Sequence, residues 1–168
     1  MLHVPGSWKE VSFQEFVSCP SNLAINRQTR MLADLELIGC YLPSGISMET
    51  QNIIMLQSAK DTLRHMEFFG VQEYQSATQY LFERTFKVKF NDDFYQKNNS
   101  YTSAVKLSKE QLKKAIVLNH LDVQLYDYGK QIFMQKVKNW IEKDIKMGQN
   151  YLIPVELQKQ LKNGDLDI

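Results

Sequence analysis

The sequence has little of what marks a metal or redox centre. Of its 168 residues only two are cysteine and three are histidine. Cys19 and Cys40 are too far apart for a Cys-x-x-Cys redox or zinc pair, and the scattered histidines have no metal-ligand spacing. We therefore expect no metal site.

An excess of charge of one sign is also lacking. The formal net charge is +1, so no overall field attracts nucleic acid or an acidic lipid surface, and any anion has to be held by local geometry. The chain contains no run of about 18 apolar residues. Its first ten residues lack the charged start and apolar centre of a signal peptide. Taken literally, these features predict a cytosolic chain without a membrane span.

What is present indicates a folded protein. Hydrophobic residues make up 43% of the sequence and charged residues 23%, which is typical of a soluble globular domain and argues against long disorder. We predict a domain over residues 8–146. The tail over 147–168 contains Gly148 and Pro154 and ends in charged residues, so we expect a surface or frayed segment.

Helix signals dominate the chain. Two capping boxes predict helix starts, one from Ser12 with Glu15 and one from Ser108 with Gln111. Apolar residues at helical spacing predict further helices. The predicted helices after the first cover about 23–37, 51–66, 72–86 and 108–146, the last with a break near Asn119.

One segment interrupts the helical spacing. Residues 67–71, "EFFGV", predict a short buried strand that leads into a helix through Gly70. Such a strand is typical of an α/β layer and needs parallel neighbours. Since the chain contains only one or two convincing strands, either the domain is nearly all helical or its other strands belong to sequence outside these residues.

Two stretches are candidates for binding an anion. Arg27 and Arg30 lie three residues apart beside an apolar run, so they form either an anion clamp or ion pairs with Asp34 or Glu36. We favour the ion pairs. The second stretch, 91–103, is polar and without a period, and its length favours a functional loop over a plain connector.

Three blocks carry a family resemblance. They are "CPSNLAINRQTRMLADLELIGCY" at 19–41, "MEFFGVQEYQSATQYLFERTFKVKF" at 66–90 and "LDVQLYDYGKQIF" at 121–133. In their residues and in their spacing the blocks resemble the heparan sulfate 6-O-sulfotransferases, over about residues 8–136. These enzymes transfer sulfate from 3′-phosphoadenylyl sulfate (PAPS) to the 6-hydroxyl of glucosamine residues in heparan sulfate.

The resemblance implies a fold and a location. The family is a type II membrane family of the Golgi lumen with a P-loop-like α/β fold around a parallel sheet. This chain is similar to its C-terminal, mostly helical half, with one or two short parallel strands remaining. In the family the phosphosulfate loop and the catalytic base lie upstream of these blocks, so the resemblance implies no catalytic residue here. We expect no turnover from this chain alone.

The resemblance also implies a donor-binding loop at 94–104. By position, one donor-contacting triplet falls on Tyr95, Gln96 and Lys97, and a second pair falls on Tyr101 and Thr102. The family has an arginine where Tyr101 stands, and a tyrosine supplies one hydroxyl donor and no charge. We expect Lys97 to provide the missing cation.

Other implications follow from a lumenal location. Asn98 begins a glycosylation sequon, Asn98-Asn99-Ser100. A disulfide between Cys19 and Cys40 becomes the better interpretation, whereas buried free thiols are expected in the cytosol. Arg27 and Arg30 become candidate contacts to the heparan sulfate substrate. The alternative to a sulfotransferase is a non-catalytic helical fragment that binds glycans or proteins.

Overall fold

The computed structural model describes residues 11–19, 22–40, 45–95 and 106–163, with side chains up to residue 159. This part of the chain is mostly helical and contains no β-strand. Two short 3-10 helices cover Leu35–Ile38 and Asn150–Leu152. The α-helices are α1 (Phe13–Ser18), α2 (Arg27–Leu32), α3 (Met48–His65), α4 (Gln75–Phe86), α5 (Lys109–Leu118), α6 (His120–Lys146) and α7 (Val155–Asn163).

The two helix starts predicted from capping boxes are confirmed, whereas the helix predicted from about residue 23 begins only at Arg27 and ends at Leu32. At α1 the Ser12 hydroxyl accepts from the Glu15 backbone N–H at 3.2 Å, and the Glu15 carboxylate accepts from the Ser12 N–H at 2.8 Å. Ser108 and Gln111 make the same reciprocal pair at α5. The break near Asn119 is also confirmed, because α5 ends at Leu118 and α6 begins at His120.

The strand predicted at 67–71 is absent. This segment is irregular, and side chains bond its backbone polar groups where a neighbouring strand was expected. The Thr78 hydroxyl bonds both the N–H and the carbonyl oxygen of Val71, each at 3.1 Å. The Lys136 ammonium donates to the carbonyl oxygens of Met66 and of Glu67, the latter at 3.3 Å.

The chain divides into two compact units. The first comprises 1–60 and 104–126, and the second comprises 61–103 and 127–168. In the first unit a small core forms around Ile38, Met55 and Leu121.

The second unit has the larger core. It buries residues of α4, α6 and α7 together with Val71 and Ile153: Ala77, Tyr80, Leu81, Phe133, Val137, Ile141 and Leu157. Ile153 and Leu157 are 4% and 3% exposed, so the expectation of a frayed surface tail after residue 146 is wrong for this stretch. The boundary between 146 and 147 stays a prediction.

Among the described residues, no helix combines the length and the apolar character needed to cross a membrane.

Candidate functional site

Helix α4 organises the surroundings of the predicted donor loop. Its fourth residue, Thr78, packs directly against Gly70. A Cβ atom at Gly70 would lie 2.5 Å from the Thr78 Cγ2 atom, so only glycine permits the two hydrogen bonds between Thr78 and Val71, one accepted and one donated by the Thr78 hydroxyl.

Two polar side chains of α4 hold the segment that leads into the donor loop. The buried Gln79 accepts from the Phe94 N–H at 2.7 Å and donates to the Asp92 carbonyl oxygen at 3.2 Å. The Glu83 carboxylate accepts from the Phe90 N–H at 2.9 Å and from the Gln79 amide at 3.0 Å. Since the segment has no secondary structure of its own, these bonds set the position of the residue that follows Phe94.

That residue, Tyr95, lines a hollow of about 250 Å³ in the second unit. The hollow, which we call the Tyr95 hollow, is formed by the start of α4, the segment ending at Tyr95 and the start of α7. Its lining combines two tyrosines, polar groups of α4 and two carboxylates. These tyrosines, polar groups and carboxylates belong to Glu73, Tyr74, Gln75, Ser76, Tyr95 and Glu156.

The chemistry of the Tyr95 hollow fits one end of a nucleotide better than the other. Aromatic faces and amide groups suit a purine base, and about 250 Å³ lies just below the usual size of a small-ligand pocket. The carboxylates of Glu73 and Glu156 would repel a phosphate. Glu156 already accepts a hydrogen bond from the Ser76 hydroxyl. The described residues therefore fit the purine end of PAPS and not its phosphate end.

A buried polar network beside this helix was missed by the sequence analysis. Asp144 is fully buried and accepts from the Tyr80 hydroxyl at 2.7 Å and from the Arg84 guanidinium at 2.6 Å. Burial, together with the bond to Asp144, raises the pKa of the Tyr80 hydroxyl above its usual range. The hydroxyl therefore stays protonated and keeps donating. Arg84 also lies over the Trp140 ring, 5.0 Å from its centroid.

The predicted ion pairs of Arg27 and Arg30 are absent. Neither guanidinium pairs with Asp34 or Glu36 within the described residues. Arg27 is exposed and Arg30 is half-buried, and the Arg30 Nε atom is buried without a hydrogen-bond partner in this part of the chain.

The surrounding stretch has a structural role as well. The Asn26 side-chain oxygen accepts from the Leu121 N–H at 3.0 Å, at the start of α6. In return the Asp122 carboxylate accepts from the N–H groups of Gln28 and Thr29 at the start of α2. Each helix start is thus capped by a side chain from the other.

Several predicted site residues lie outside the described residues. They are Gln96, Lys97, Asn98, Tyr101 and Thr102. Their roles in donor binding and glycosylation stay predictions.

Cys19 and Cys40 are both described. Each is a free, exposed thiol in the structure, so the expectation of buried thiols is wrong. The disulfide between them is not formed here and stays a prediction.

We expect Gln79→Leu to release the backbone before Tyr95. Leucine is similar in size but can neither accept from Phe94 nor donate to Asp92, and one lost hydrogen bond is worth about 1 kcal/mol. Amide hydrogen exchange at Phe94 should accelerate about tenfold. Gln131→Leu, at an exposed position of α6, is the matched control and should leave this exchange unchanged. Unaltered protection of Phe94 in Gln79→Leu would show that other contacts fix the segment.

Comparison with known proteins places this site in a family context. The model of the family described as "Sulfotransferase family" matches residues 3–129. Heparan-sulfate 6-O-sulfotransferase 1 of Homo sapiens is 49% identical over 129 residues, 77% of this chain and 31% of the relative. Heparan-sulfate 6-O-sulfotransferase 2 of Gallus gallus is 45% identical over 137 residues, 82% of this chain and 34% of the relative. The resemblance found in the three sequence blocks is therefore confirmed, and the chain spans about a third of the length of these relatives.

Proposed function

The chain belongs to the sulfotransferase family, and from this premise we propose that it forms part of an enzyme that transfers sulfate from PAPS to the 6-hydroxyl of glucosamine residues in heparan sulfate. The observation that carries the proposal is the 45–49% identity to relatives named heparan-sulfate 6-O-sulfotransferases. The alternative, a non-catalytic fragment that binds glycans or proteins, has no comparable observation in its favour. Since the chain covers about a third of these relatives, the activity belongs to the whole enzyme.

In this proposal the Tyr95 hollow receives the adenine of the donor. Tyr95 supplies an aromatic face and Gln75 supplies amide groups, both within its lining. The phosphate groups of PAPS would be held by Gln96, Lys97, Tyr101 and Thr102. The phosphates would then lie away from the two carboxylates of the hollow. PAPS brings the sulfuryl group itself, and these residues only bind and orient the donor.

Arg27 and Arg30 are proposed to contact the acceptor. Heparan sulfate carries sulfate and carboxylate groups, and a guanidinium suits both because its N–H donors form a planar fork. The absence of carboxylate partners for these two arginines among the described residues, together with the unbonded Arg30 Nε atom, supports this role. It also replaces the ion-pair interpretation.

The remaining features of the family are part of the same proposal. They comprise a P-loop-like fold with a parallel sheet, a catalytic base and phosphosulfate loop upstream of the matched blocks, and a type II protein of the Golgi lumen. Glycosylation at Asn98 and the Cys19–Cys40 disulfide belong to this lumenal setting. On this proposal the present chain binds donor but does not transfer sulfate alone.

We expect Tyr95→Ala to weaken binding of adenosine 3′,5′-bisphosphate, the desulfated donor, about tenfold. Stacking of a base on an aromatic side chain is worth about 1 to 3 kcal/mol, and a tenfold change in affinity corresponds to about 1.4 kcal/mol. Isothermal titration calorimetry of the full chain measures the change.

Tyr151→Ala is the matched control for this experiment. Tyr151 is 78% exposed and Tyr95 is 72% exposed, but Tyr151 does not line the hollow. The control should bind the bisphosphate as the unaltered chain does. If the unaltered chain does not bind the bisphosphate, or both variants lose affinity equally, the proposed donor site is wrong.

A further inference from the structure

A second hollow in the same unit has a different chemistry. It measures about 360 Å³ and is lined by side chains of α4 and α6 together with Glu67. We call it the Trp140 hollow. The lining residues that matter for binding are Glu67, Thr85, Lys136, Asn139, Trp140 and Lys143.

The indole ring of Trp140 is held in place from within the protein. Arg84 lies 5.0 Å from the ring centroid and is itself anchored by the buried Asp144. The ammonium of Lys143 lies 4.4 Å from the same centroid, and the Lys143 side chain is exposed. This cation of the lining is therefore positioned by an aromatic ring, and no carboxylate of the described residues forms an ion pair with it.

Lys136 contributes a second ammonium. It donates to the carbonyl oxygens of Met66 and Glu67, and an ammonium has three N–H donors. The same ammonium lies 5.5 Å from the Phe69 ring centroid, so it brings a fixed positive charge to the lining. The lining contains two ammonium groups and one carboxylate, that of Glu67, so it carries an excess of one positive charge.

We propose that the Trp140 hollow binds an anionic sugar unit of a sulfated polysaccharide. The ammonium groups suit a sulfate or carboxylate, and the Asn139 amide and Thr85 hydroxyl suit sugar hydroxyl groups. A volume of about 360 Å³ falls in the range of small-ligand pockets and suits one or two sugar rings better than a chain segment.

A nucleic-acid base is disfavoured as the occupant. The Trp140 ring already has two cations within 5.0 Å of its centroid, so a base would have to displace Lys143 in order to stack. A sugar sulfate needs no such displacement, because it approaches the ammonium itself.

The inference rests on the proposed function, since it takes heparan sulfate as the polysaccharide, but it concerns a different site. Asn139, Trp140 and Lys143 lie beyond residues 3–129 that the family model matches. The site is therefore argued from this chain's own residues. It would hold the polysaccharide by a contact separate from the donor-binding hollow.

Trp140 provides a direct test. The chain contains two tryptophans, so a Trp8→Phe background leaves Trp140 as the single indole reporter. A heparin-derived octasaccharide titrated into the full chain should change the Trp140 emission saturably. Lys143→Ala in that background should lower the octasaccharide affinity about fivefold and reduce the salt dependence of binding by about one ion.

Lys146→Ala is the matched control. It removes the same charge from an exposed position of the same helix but not from the lining of the hollow, so it should leave the affinity within twofold. Lys136 is not used, because its removal would also release the carbonyl groups of Met66 and Glu67.

Three results would overturn the inference. They are octasaccharide binding without a change in Trp140 emission, equal losses in the Lys143 and Lys146 variants, and displacement of the octasaccharide signal by adenosine 3′,5′-bisphosphate. The bisphosphate titration of the Tyr95 variant tests the proposed function separately. The two experiments can therefore refute the polysaccharide site without refuting the donor site, or refute the donor site without refuting the polysaccharide site.

Discussion

Replacing Asp144 by alanine is expected to lower the free energy of unfolding by about 3 to 5 kcal/mol. The carboxylate is fully buried and bonds the Arg84 guanidinium at 2.6 Å and the Tyr80 hydroxyl at 2.7 Å. Its removal leaves a cation and a hydroxyl without their acceptor inside the second unit. Domains are typically stable by about 5 to 15 kcal/mol, so this change takes a large share of the total. Urea denaturation followed by circular dichroism measures the loss.

The control for Asp144→Ala lies two residues earlier. Glu142→Ala removes a half-buried carboxylate from the same helix that forms no ion pair among the described residues, and it should cost about 0.5 kcal/mol or less. Replacing Asp144 by leucine together with Arg84→Met and Tyr80→Phe removes the whole network. It should recover much of the stability, because no buried polar group is left unpaired. If Asp144→Ala is no more harmful than Glu142→Ala, the network does not hold α4 to α6.

Features decided by neighbouring residues were predictable from the sequence. Both capping boxes connect groups three residues apart, so their patterns fix the starts of α1 and α5 without knowledge of the rest of the fold. Asn119 interrupts the apolar stripe locally, and α5 ends there.

Features decided by distant contacts were not predictable in this way. Residues 67–71 have the composition of a buried strand, but their backbone groups are bonded by Thr78 and by Lys136, which is about 70 residues away. Asp144 stands among charged residues typical of a solvated helix end, yet its partners are 60 and 64 residues away. Neither set of contacts leaves a pattern in the local sequence.

The candidate site shows the same division. The resemblance led to Tyr95, and Tyr95 does line a hollow. It could not lead to Gln79, because a glutamine in a helix is usually solvated and its bond to the Phe94 N–H spans 15 residues. The signal that was available is the spacing of Gln79 and Glu83, two polar residues four apart beside the buried face of α4.

The stretch that contains Arg27 and Arg30 is held by its neighbours and not by its charges, and this leads to the second large effect. We expect Asp122→Ala to lower the free energy of unfolding by about 2 to 3 kcal/mol. The Asp122 carboxylate accepts from the Gln28 N–H at 3.1 Å, the Thr29 N–H at 2.8 Å and the Thr29 hydroxyl at 2.7 Å. Thr29 is fully buried, so the change leaves its hydroxyl without this acceptor in a buried position. Urea denaturation again measures the change.

Asp127→Ala separates this capping role from a general effect of charge. Asp127 lies in the same helix and is exposed, so its removal changes the net charge equally and should alter the stability by about 0.5 kcal/mol or less. Asp122→Asn keeps one side-chain oxygen as an acceptor and should fall between the two. Equal stabilities for Asp122→Ala and Asp127→Ala would mean that α2 forms without its cap. If Asp122→Ala is the costly change, the start of α2 is fixed by hydrogen bonds that leave both arginines unpaired with any carboxylate of the described residues. Their guanidinium groups then remain available to an anion from outside the chain.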